Sequence, residues 1–386
     1  MTTTGSAPPP GVSGYLDAAS AEPLHPAARE VLLAAYDSGY ADPRRLHLPG
    51  RNARLLLDNA REAVAEALGV RRDEVSFVGS GTHAVHLGLL GLARARERAG
   101  QGVVYSAVEH QSVHHAARWL DPAGDATPAG GPVGVDTLGR VDVDAFRAAA
   151  HAGGVAVAAL QSANHEVGTV QPVDELDLSG VPLFVDACAS MGRTALPGRW
   201  TAVAGSAHKW GGPAGVGVLL VRAGARWVNP FPADDRSDDR STGFENVPAA
   251  LAAAAALQAV VAERAEVGAR QRELIDLVRA RVAAIPDVDV VGDPEDRLPH
   301  LVTFSVLYLA GDALVTELDR LGFGLASGSA CTASTLEPSH VLAAMGALTH
   351  GNLRLSLTRD TTRDEIARLL EALPEVIDRL RAETGT

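Results

Sequence analysis

Six short apolar runs, separated by helical or loop segments, constrain the fold of this 386-residue chain more than any other feature. The runs cover residues 74–78, 103–106, 155–160, 183–185, 201–204 and 216–221. Short runs that alternate with helical segments are typical of a mainly parallel, doubly wound sheet. Ligands bind such sheets beyond the carboxyl ends of the strands.

Polar side chains follow five of these runs at the point where each run ends. They are Ser80, Gly81, Thr82 and His83 after the first run, Glu109, His110 and Gln111 after the second, residues 161–166 after the third, Asp186 after the fourth, and His208 and Lys209 after the fifth. Because the carboxyl ends of parallel strands meet at one edge of a sheet, we expect these side chains to lie together.

Lys209 is the only lysine in the chain. Of the 34 basic residues the other 33 are arginines. Arginine stays protonated and forms no imine with an aldehyde, so this composition points to a need for a primary amine at Lys209. Chance survival of one lysine under a compositional bias is the alternative. The flanking apolar runs and the Gly/Pro turn at 211–215 predict a reactive amine on a tight loop between two buried strands.

The length of the chain predicts two domains. Residues 1–14 have no basic region followed by an apolar stretch and are expected to be a disordered tail. Residues 15–247 would form the large domain, with a loop at 37–51 followed by a helix from about residue 52 to residue 68. Residues 248–386 would form a smaller α+β domain that begins with a long helix at 248–284. In it we expect strands near 301–305 and 352–357 and helices near 312–321, 338–345 and 363–383.

Charge and cysteine content exclude several classes of protein. The net charge of −13 argues against a binder of nucleic acid or of an anionic membrane, because both need a basic face. Two cysteines are too few for a disulfide framework, which favours a cytoplasmic location. His83 with His86, and His110 with His114, have a spacing that metals use, but no cysteine or carboxylate completes a set, so we expect no metal.

Several residues in these five polar clusters suit a cofactor. Gly81 and Thr82 lie between a predicted strand and helix, where backbone amides and a hydroxyl bind phosphate; a plain turn with a capped helix is the alternative. Asp186 ends a strongly apolar strand, and a buried aspartate needs a partner such as a protonated pyridine nitrogen. Helix capping is the alternative for Asp186. His110 would stack on an aromatic cofactor or move protons.

Two further candidates lie near the C-terminus. Cys331 lies in a run of small residues at 327–334, where a thiol would be exposed and mobile, whereas Cys188 follows an apolar strand and suits a structural role. Arg354, on a predicted strand, would bind a carboxylate with its guanidinium. A surface salt bridge is the alternative for Arg354.

Five segments together resemble one known family. In chain order they read EHQSV, NHEVGTVQPV, VDACAS, HKWGGPAGVGVL and SGSACTASTLEPSHVLAAMG. They look like the cysteine desulfurases that depend on pyridoxal 5′-phosphate (PLP) and belong to the class V aminotransferase group. The similarity runs from about Tyr15 to the C-terminal helix, and the segment around Cys331 is its most specific part. It implies an α/β chain of fold-type I, with a large domain and a smaller C-terminal one, and a homodimer.

The resemblance also implies a role for each matching residue. Lys209 forms the Schiff base with PLP and moves the substrate proton, Asp186 pairs with the pyridine nitrogen, and His110 stacks on the ring. The phosphate is held by the glycine turn with Gly81 and by Thr82, Ser206 and His208; Asn164 and His165 contact the cofactor or the substrate, Arg354 binds the substrate carboxylate, and Cys331 attacks the substrate sulfur.

Three positions depart from the family pattern. The family usually has asparagine where this chain has His165, and Asn164 is the neighbour that would serve instead. Ala189 stands where a glutamine usually bonds the cofactor hydroxyl. Phe244 stands where a threonine usually reaches the phosphate of the other subunit, so that this threonine is lost or shifted to Thr242.

The sequence therefore predicts a cytoplasmic homodimer that converts L-cysteine to L-alanine and passes sulfur through a Cys331 persulfide to an acceptor protein. Iron–sulfur assembly is one of several pathways that would use this sulfur. Another PLP-dependent C–S or selenocysteine lyase, or a class V aminotransferase, is the first alternative. A catalytically impaired sulfur-relay scaffold is the second. A dehydrogenase is the third, and it rests only on the glycine turn at 79–81.

Overall fold

The computed structural model describes residues 14–38, 40–120, 130–232, 239–241, 243–327 and 338–385. One sheet contains β1 (Val75–Val78), β2 (Gly100–Ser106), β3 (Gly131–Val133), β4 (Gly154–Ala159), β5 (Leu183–Asp186), β6 (Ala202–Ser206) and β7 (Gly217–Val221). A second sheet contains β8 (Val288–Val291), β9 (Leu301–Val306) and β10 (Asn352–Ser356). The helices are α1 (Pro26–Asp37), α2 (Leu48–Leu68), α3 (Gly81–Arg94), α4 (Gln111–Leu120), α5 (Val143–Ala150), α6 (Val247–Val282), α7 (Gly311–Arg320), α8 (His340–Ala344) and α9 (Arg363–Thr384).

The large sheet confirms the predicted α/β class. Its strand order is β1-β7-β6-β5-β4-β2-β3, and the pairs β2–β3, β2–β4, β4–β5 and β5–β6 are parallel. Only β7 runs the other way, antiparallel to both β6 and β1. All six predicted apolar runs are strands. The carboxyl ends of β1, β2, β4, β5 and β6 meet at one edge, as the polar clusters predicted.

Side chains of the large sheet alternate between two apolar layers, because successive residues of a strand point to opposite faces. On β6, Val203 packs with α2 and α6, whereas Ala202 and Ala204 pack against the layer that contains α3. Helices therefore cover both faces of the sheet, which is the doubly wound arrangement that near-continuous apolar strands favour.

Helix α6 belongs to both apolar cores. Residues Ala249 to Leu257 pack in the core of the large sheet, and residues Leu274 to Val282 pack with β9, β10 and α9 around the small sheet. Among the described helices, α6 alone has the length and hydropathy of a membrane span, and half of its apolar window is buried within the protein. The predicted domain boundary at 247/248 stays a prediction.

Three details differ from the sequence-based expectation. The short edge strand β3 and the strand β8 were not predicted. Helix α2 begins at Leu48 rather than at residue 52, because the His47 side chain accepts a hydrogen bond from the Gly50 amide and a proline occupies the first turn. The predicted loop at 37–51 is correspondingly shorter.

The side chain of Phe304 in β9 is 1% exposed, so its truncation tests the packing of the core around the small sheet. We expect Phe304→Ala to lower the free energy of unfolding by about 3–5 kcal/mol, because the truncation leaves a cavity that the core fills only in part. Urea denaturation followed by circular dichroism measures this change. Leu321→Ala, at a 52% exposed position, is the control and should change stability by less than about 0.5 kcal/mol. Equal losses in the two variants would contradict the assignment.

Candidate active site

A cavity of about 210 Å³ lies at the carboxyl edge of the large sheet. It is lined by Gly81, Thr82, Val85, His110, Ser112, Gln161, Ala163, His165, Asp186, Cys188, Ala189, Ser206, His208 and Lys209. Eight of these residues were predicted as site residues from the sequence. They are Gly81, Thr82, His110, His165, Asp186, Ser206, His208 and Lys209.

Lys209 ends a one-turn 3-10 helix, Ala207–Lys209, that directly follows β6. The amides of Trp210 and Gly212 both donate to the Ala207 carbonyl, and the Ala207 amide donates to the Val216 carbonyl at the start of the returning chain. Trp210 is fully buried, and its indole N–H donates to the Ala253 carbonyl of α6. The tight loop between two buried strands that the sequence predicted is present, and it directs Lys209 into the cavity.

Asp186 is the last residue of β5 and is 5% exposed. Its Oδ1 accepts a hydrogen bond of 2.9 Å from the Cys188 amide. Burial raises the pKa of the Cys188 thiol well above its ordinary value, and the nearby Asp186 charge adds to that shift. Cys188 therefore stays a protonated thiol, in keeping with the structural role expected for it, although its side chain also lines the cavity.

The first turn of α3 faces the same cavity with its free amides. Ser80 caps this 14-residue helix by accepting from the His83 amide, and Gly81 and Thr82 line the cavity. A Cβ on Gly81 would lie 2.8 Å from Ser206 Oγ, so only glycine lets the helix start approach β6 this closely. Ser206 Oγ also lies 3.2 Å from His208 Nδ1. Amides, hydroxyls and an imidazole converge here, which suits an anion such as a phosphate.

Two histidine rings form one wall of the cavity. The His110 and His165 rings pack edge to face with centroids 5.1 Å apart. His110 Nδ1 accepts from the Ser112 amide at 3.1 Å, so the proton of the neutral ring is on Nε2. Burial lowers the pKa of both rings, of His165 well below its usual value, and the charge of Lys209 acts in the same direction. The 3.6 Å approach of Glu166 Oε1 to His165 Nε2 is therefore not an ion pair.

Asn164 is not among the residues that line the cavity, and its predicted contact with cofactor or substrate stays a prediction. Its Nδ2 donates to the Val108 carbonyl, and its Oδ1 accepts from the amides of Glu166 and Val167 at 2.8 Å. These bonds use the side chain to fix the turn after β4. His165, the next residue, is the one that faces the cavity.

Arg354 is buried rather than on the surface, so the surface salt bridge considered for it is wrong. Its Nη2 donates to Asp17 Oδ1 at 2.9 Å and to Ser20 Oγ, and its Nη1 donates to the His165 carbonyl at 3.2 Å. Among the described residues, Arg354 thus meets the cavity through the backbone of His165, and Asp17 already neutralises it. The carboxylate clamp stays a prediction.

The other positions that the sequence singled out lie outside the described residues, on the cavity wall or away from the cavity. Cys331 and Thr242 fall in ranges that the structure leaves undescribed. Ala189 lines the cavity with no polar atom in its side chain. Phe244 is half exposed and packs on Tyr40, with ring centroids 6.2 Å apart.

Glu109 is a buried residue at the site for which the sequence analysis gave no role. Its Oε1 accepts from the Gln161 amide at 2.7 Å, whereas its Oε2 has no hydrogen-bond partner among the described residues. Burial raises the pKa of Glu109 well above its usual range, and the Asp186 charge adds to the shift. Ser112, which orients His110, and Gln161 were also missed, although all three lie in or beside clusters that the sequence marks.

Within the described ranges no group of three or more histidine, cysteine or acidic side chains is arranged to hold a metal ion. The arrangement instead offers a primary amine, a buried carboxylate and an anion-binding helix start around one cavity. That set suits an aldehyde cofactor with an aromatic nitrogen and a phosphate.

Residues 14–369 match the family model described as aminotransferase class-V. The chain belongs to the class V aminotransferase family. Among its class V relatives, cysteine desulfurase IscS 1 of Archaeoglobus fulgidus is 33% identical over 95% of this chain and 98% of its own length. The IscS-like cysteine desulfurase of Mycobacterium tuberculosis is 36% identical over 95% of this chain and 97% of its own length. These matches confirm the predicted family, a cysteine desulfurase type of class V enzyme.

Solved structures agree with the class V fold. A NifS-like protein superposes with a TM-score of 0.87 at 24% identity, over 96% of this chain and all of that one. DndA from Streptomyces lividans superposes with a TM-score of 0.72 at 26% identity, over 89% of this chain and 99% of that one. The predicted fold class is confirmed by both.

His114 in α4 gives the site region a pH dependence. Its ring packs between Tyr105 and His340, and burial lowers its pKa to about 4, with His340 and Arg118 acting in the same direction. Since an unfolded histidine titrates near ~6.5, the unfolded chain binds a proton in this range that the folded chain does not. Stability therefore falls as the pH drops from about 6.5 towards 4.

We expect His114→Phe, which keeps the ring contacts, to flatten this decline, as measured by urea denaturation at several pH values. The matched control is His151→Gln at an exposed position, which should leave the slope unchanged. A His114→Phe slope equal to that of the unaltered protein would contradict the assignment.

Proposed function

We propose that this protein converts L-cysteine to L-alanine and carries the released sulfur as a persulfide on Cys331. The observation that carries the proposal is the arrangement of Lys209, Asp186 and the start of α3 around one cavity, in a chain that belongs to the class V family. The relatives named cysteine desulfurases span nearly the whole chain, which supports this activity over other class V reactions.

PLP fits the residues that line the cavity. The start of α3 can lie this close to Ser206 only because Gly81 has no Cβ, and the free amides of that helix start suit a phosphate. Asp186 would pair with the pyridine nitrogen, His110 would stack on the ring, and Thr82, Ser206 and His208 would hold the phosphate. When bound, PLP supplies an electron sink for the bonds at the substrate α-carbon.

The protein's own side chains supply the remaining chemistry. The Lys209 amine would hold the cofactor aldehyde and would carry a proton to and from the substrate carbon. Neutral His110 presents its Nε2 proton and, held by Ser112, keeps its orientation. The Cys331 thiolate attacks the substrate sulfur: the new S–S bond forms as the C–S bond breaks, and the carbon takes up a proton to give alanine. Arg354 would bind the substrate carboxylate.

Residues on both sides of the Cys331 segment are bonded to the site, which supports this role for the cysteine. Ala326 pairs with Arg354 through two backbone hydrogen bonds. Ser339 Oγ donates to Glu166 Oε2 at 2.6 Å, and His340 Nε2 donates to the Glu109 carbonyl at 2.8 Å. The chain therefore leaves and rejoins the described structure beside the cavity.

We also propose a cytoplasmic homodimer that passes its sulfur to an acceptor protein. An exposed aromatic row of Tyr36, Tyr40 and Phe244 supports a second copy as the partner, because such rows are enriched at protein interfaces. The acceptor would meet the segment with Cys331, whose persulfide must leave the cavity to react.

Lys209→Ala tests the cofactor assignment. We expect the purified protein to show a visible absorption band from the linked cofactor, and the variant to lose that band, because no other side-chain amine exists to form the linkage. Absorption spectra after addition of PLP and removal of the excess measure the difference. Lys209→Arg is the matched control for charge and should also lack the band. A variant that keeps the band would show that the cofactor is held elsewhere.

Cys331→Ser tests the sulfur step. We expect alanine formation from L-cysteine to fall by at least about a hundredfold, since a hydroxyl is a far weaker nucleophile than a thiolate. Mass spectrometry should locate the persulfide on Cys331 and not on Cys188. The visible band must stay as in the unaltered protein, so that lost activity is not lost cofactor. Undiminished alanine would refute the persulfide step, and pyruvate with ammonia as products would favour a C–S lyase.

A further inference from the structure

The backbone of the turn that carries Lys209 is held at three of its carbonyls. We call residues 207–212 the Lys209 turn. The His208 carbonyl accepts from the Glu22 amide at 2.8 Å, and the Gly211 carbonyl accepts from the His25 amide at 2.8 Å. The Lys209 carbonyl accepts from Arg193 Nη2 at 3.1 Å. Residues far away in sequence therefore fix the peptide on which the amine is mounted.

Arg193 and Glu22 form a buried ion pair at this turn. Arg193 Nη2 lies 2.7 Å from Glu22 Oε2, and the two side chains are 9% and 4% exposed. The same nitrogen bonds both Glu22 and the Lys209 carbonyl. A buried ion pair keeps a well-defined geometry, because separating its partners would leave each buried charge uncompensated. The pair thus sets where the Lys209 carbonyl lies.

The packing around the pair leaves the turn little freedom to move. Gly211 has a φ of +79°, and a Cβ there would lie 3.1 Å from both His25 Cβ and the Pro23 carbonyl. Gly192, with a φ of +84°, directs Arg193 towards the turn, and a Cβ there would approach Trp210 Cβ to 3.4 Å. Both glycines have a left-handed backbone that would strain any other residue, and at Gly211 a Cβ would also press on His25 and Pro23.

Glu22 also joins the turn to the chain after β10. Its Oε1 accepts from the Arg359 amide at 3.0 Å, and the Arg359 guanidinium contacts His25 Nε2 at 2.6 Å. Arg359 lies five residues after Arg354, the predicted substrate clamp. The Glu22 carboxylate therefore connects the peptide of the amine with the segment that carries the candidate carboxylate binder.

We infer that Arg193 and Glu22 are positioning residues for Lys209: their ion pair holds the Lys209 carbonyl so that the ε-amine points into the cavity. Neither residue lines the cavity that Lys209 faces, so both act through the backbone of the turn. The inference rests on the proposed role of Lys209. It is independent of the sulfur step, which involves Cys331.

The experiment compares four variants of the full chain. Arg193→Gln removes the guanidinium that donates to the Lys209 carbonyl and to Glu22, and Glu22→Gln removes the charge that holds Arg193. Arg193→Lys keeps a cation with hydrogen-bond donors at this position. Glu263→Gln is the matched control, because Glu263 contacts Arg359 at 3.4 Å and His25 at 3.6 Å in the same cluster without touching Arg193.

Hydrogen exchange of the cofactor-free protein gives the first measurement. We expect the amides of Trp210 and Gly212, which close the turn, to exchange about tenfold faster in Arg193→Gln and Glu22→Gln. They should exchange at the original rate in Glu263→Gln. This result does not depend on the presence of PLP or on desulfurase activity.

Cofactor binding and kinetics give the second measurement. We expect the dissociation constant for PLP, from absorption titration of the cofactor-free protein, to rise about tenfold in Arg193→Gln and Glu22→Gln. In the reconstituted enzyme kcat should fall while KM for L-cysteine stays within about twofold, since the pair positions the amine and not the substrate. Arg193→Lys should restore most of both losses.

Two results would overturn the inference. One is unchanged amide exchange and PLP affinity in Arg193→Gln and Glu22→Gln. The other is a loss that follows the midpoint of thermal unfolding alone and that Arg193→Lys fails to restore, because the pair would then serve stability only. If the unaltered protein bound PLP yet made no alanine, the proposed function would fail while faster exchange in the variants would still support the inference.

Discussion

The reversal of the chain between β6 and β7 is the constraint on which the rest of the site depends. β6 runs parallel to β5, whereas β7 returns beside it in an antiparallel ladder from Ser206–Gly217 to Ala202–Val221. A connection this short must lie beyond the carboxyl edge of the sheet, because both strands are paired up to that edge. Lys209 is thus presented where the ends of four other strands converge. A crossover helix at this point would have moved it away.

Burial then decides the charge state of the side chains around that amine. It favours the neutral form of His110 and His165, and it favours the protonated form of Glu109 and Cys188 by raising the pKa of both. Neutral rings can pack edge to face at 5.1 Å, as the two histidines do, without repelling each other. The electrostatics of the cavity are therefore set mainly by the Asp186 carboxylate at the end of β5 and by Lys209 just beyond the end of β6.

The sequence predicted the large sheet well because six of its seven strands contain a continuous apolar run, and five of these runs end in a polar cluster. It missed β3 and β8, since Gly131–Val133 is a short edge strand and Val288–Val291 alternates with acidic residues. At the site, strand ends located the cavity but not the direction of each side chain. Only tertiary hydrogen bonds decide that Asn164 turns inward to the backbone and that Arg354 is neutralised by Asp17. Spacing along the chain carries no such information.

The composition of the chain and the geometry of its site have one explanation in common. Arginine replaces lysine at every structural cation, and its guanidinium bonds several acceptors at once: Arg354 bonds three, and Arg193 joins Glu22 to the turn. A lysine at these places would add a second amine that an aldehyde could attack. Because Lys209 is the sole side-chain amine, the proposed aldehyde cofactor has no other side chain to react with. The cavity places it beside the same residue. The arginines around the turn both spare the chain a competing amine and hold the one that remains.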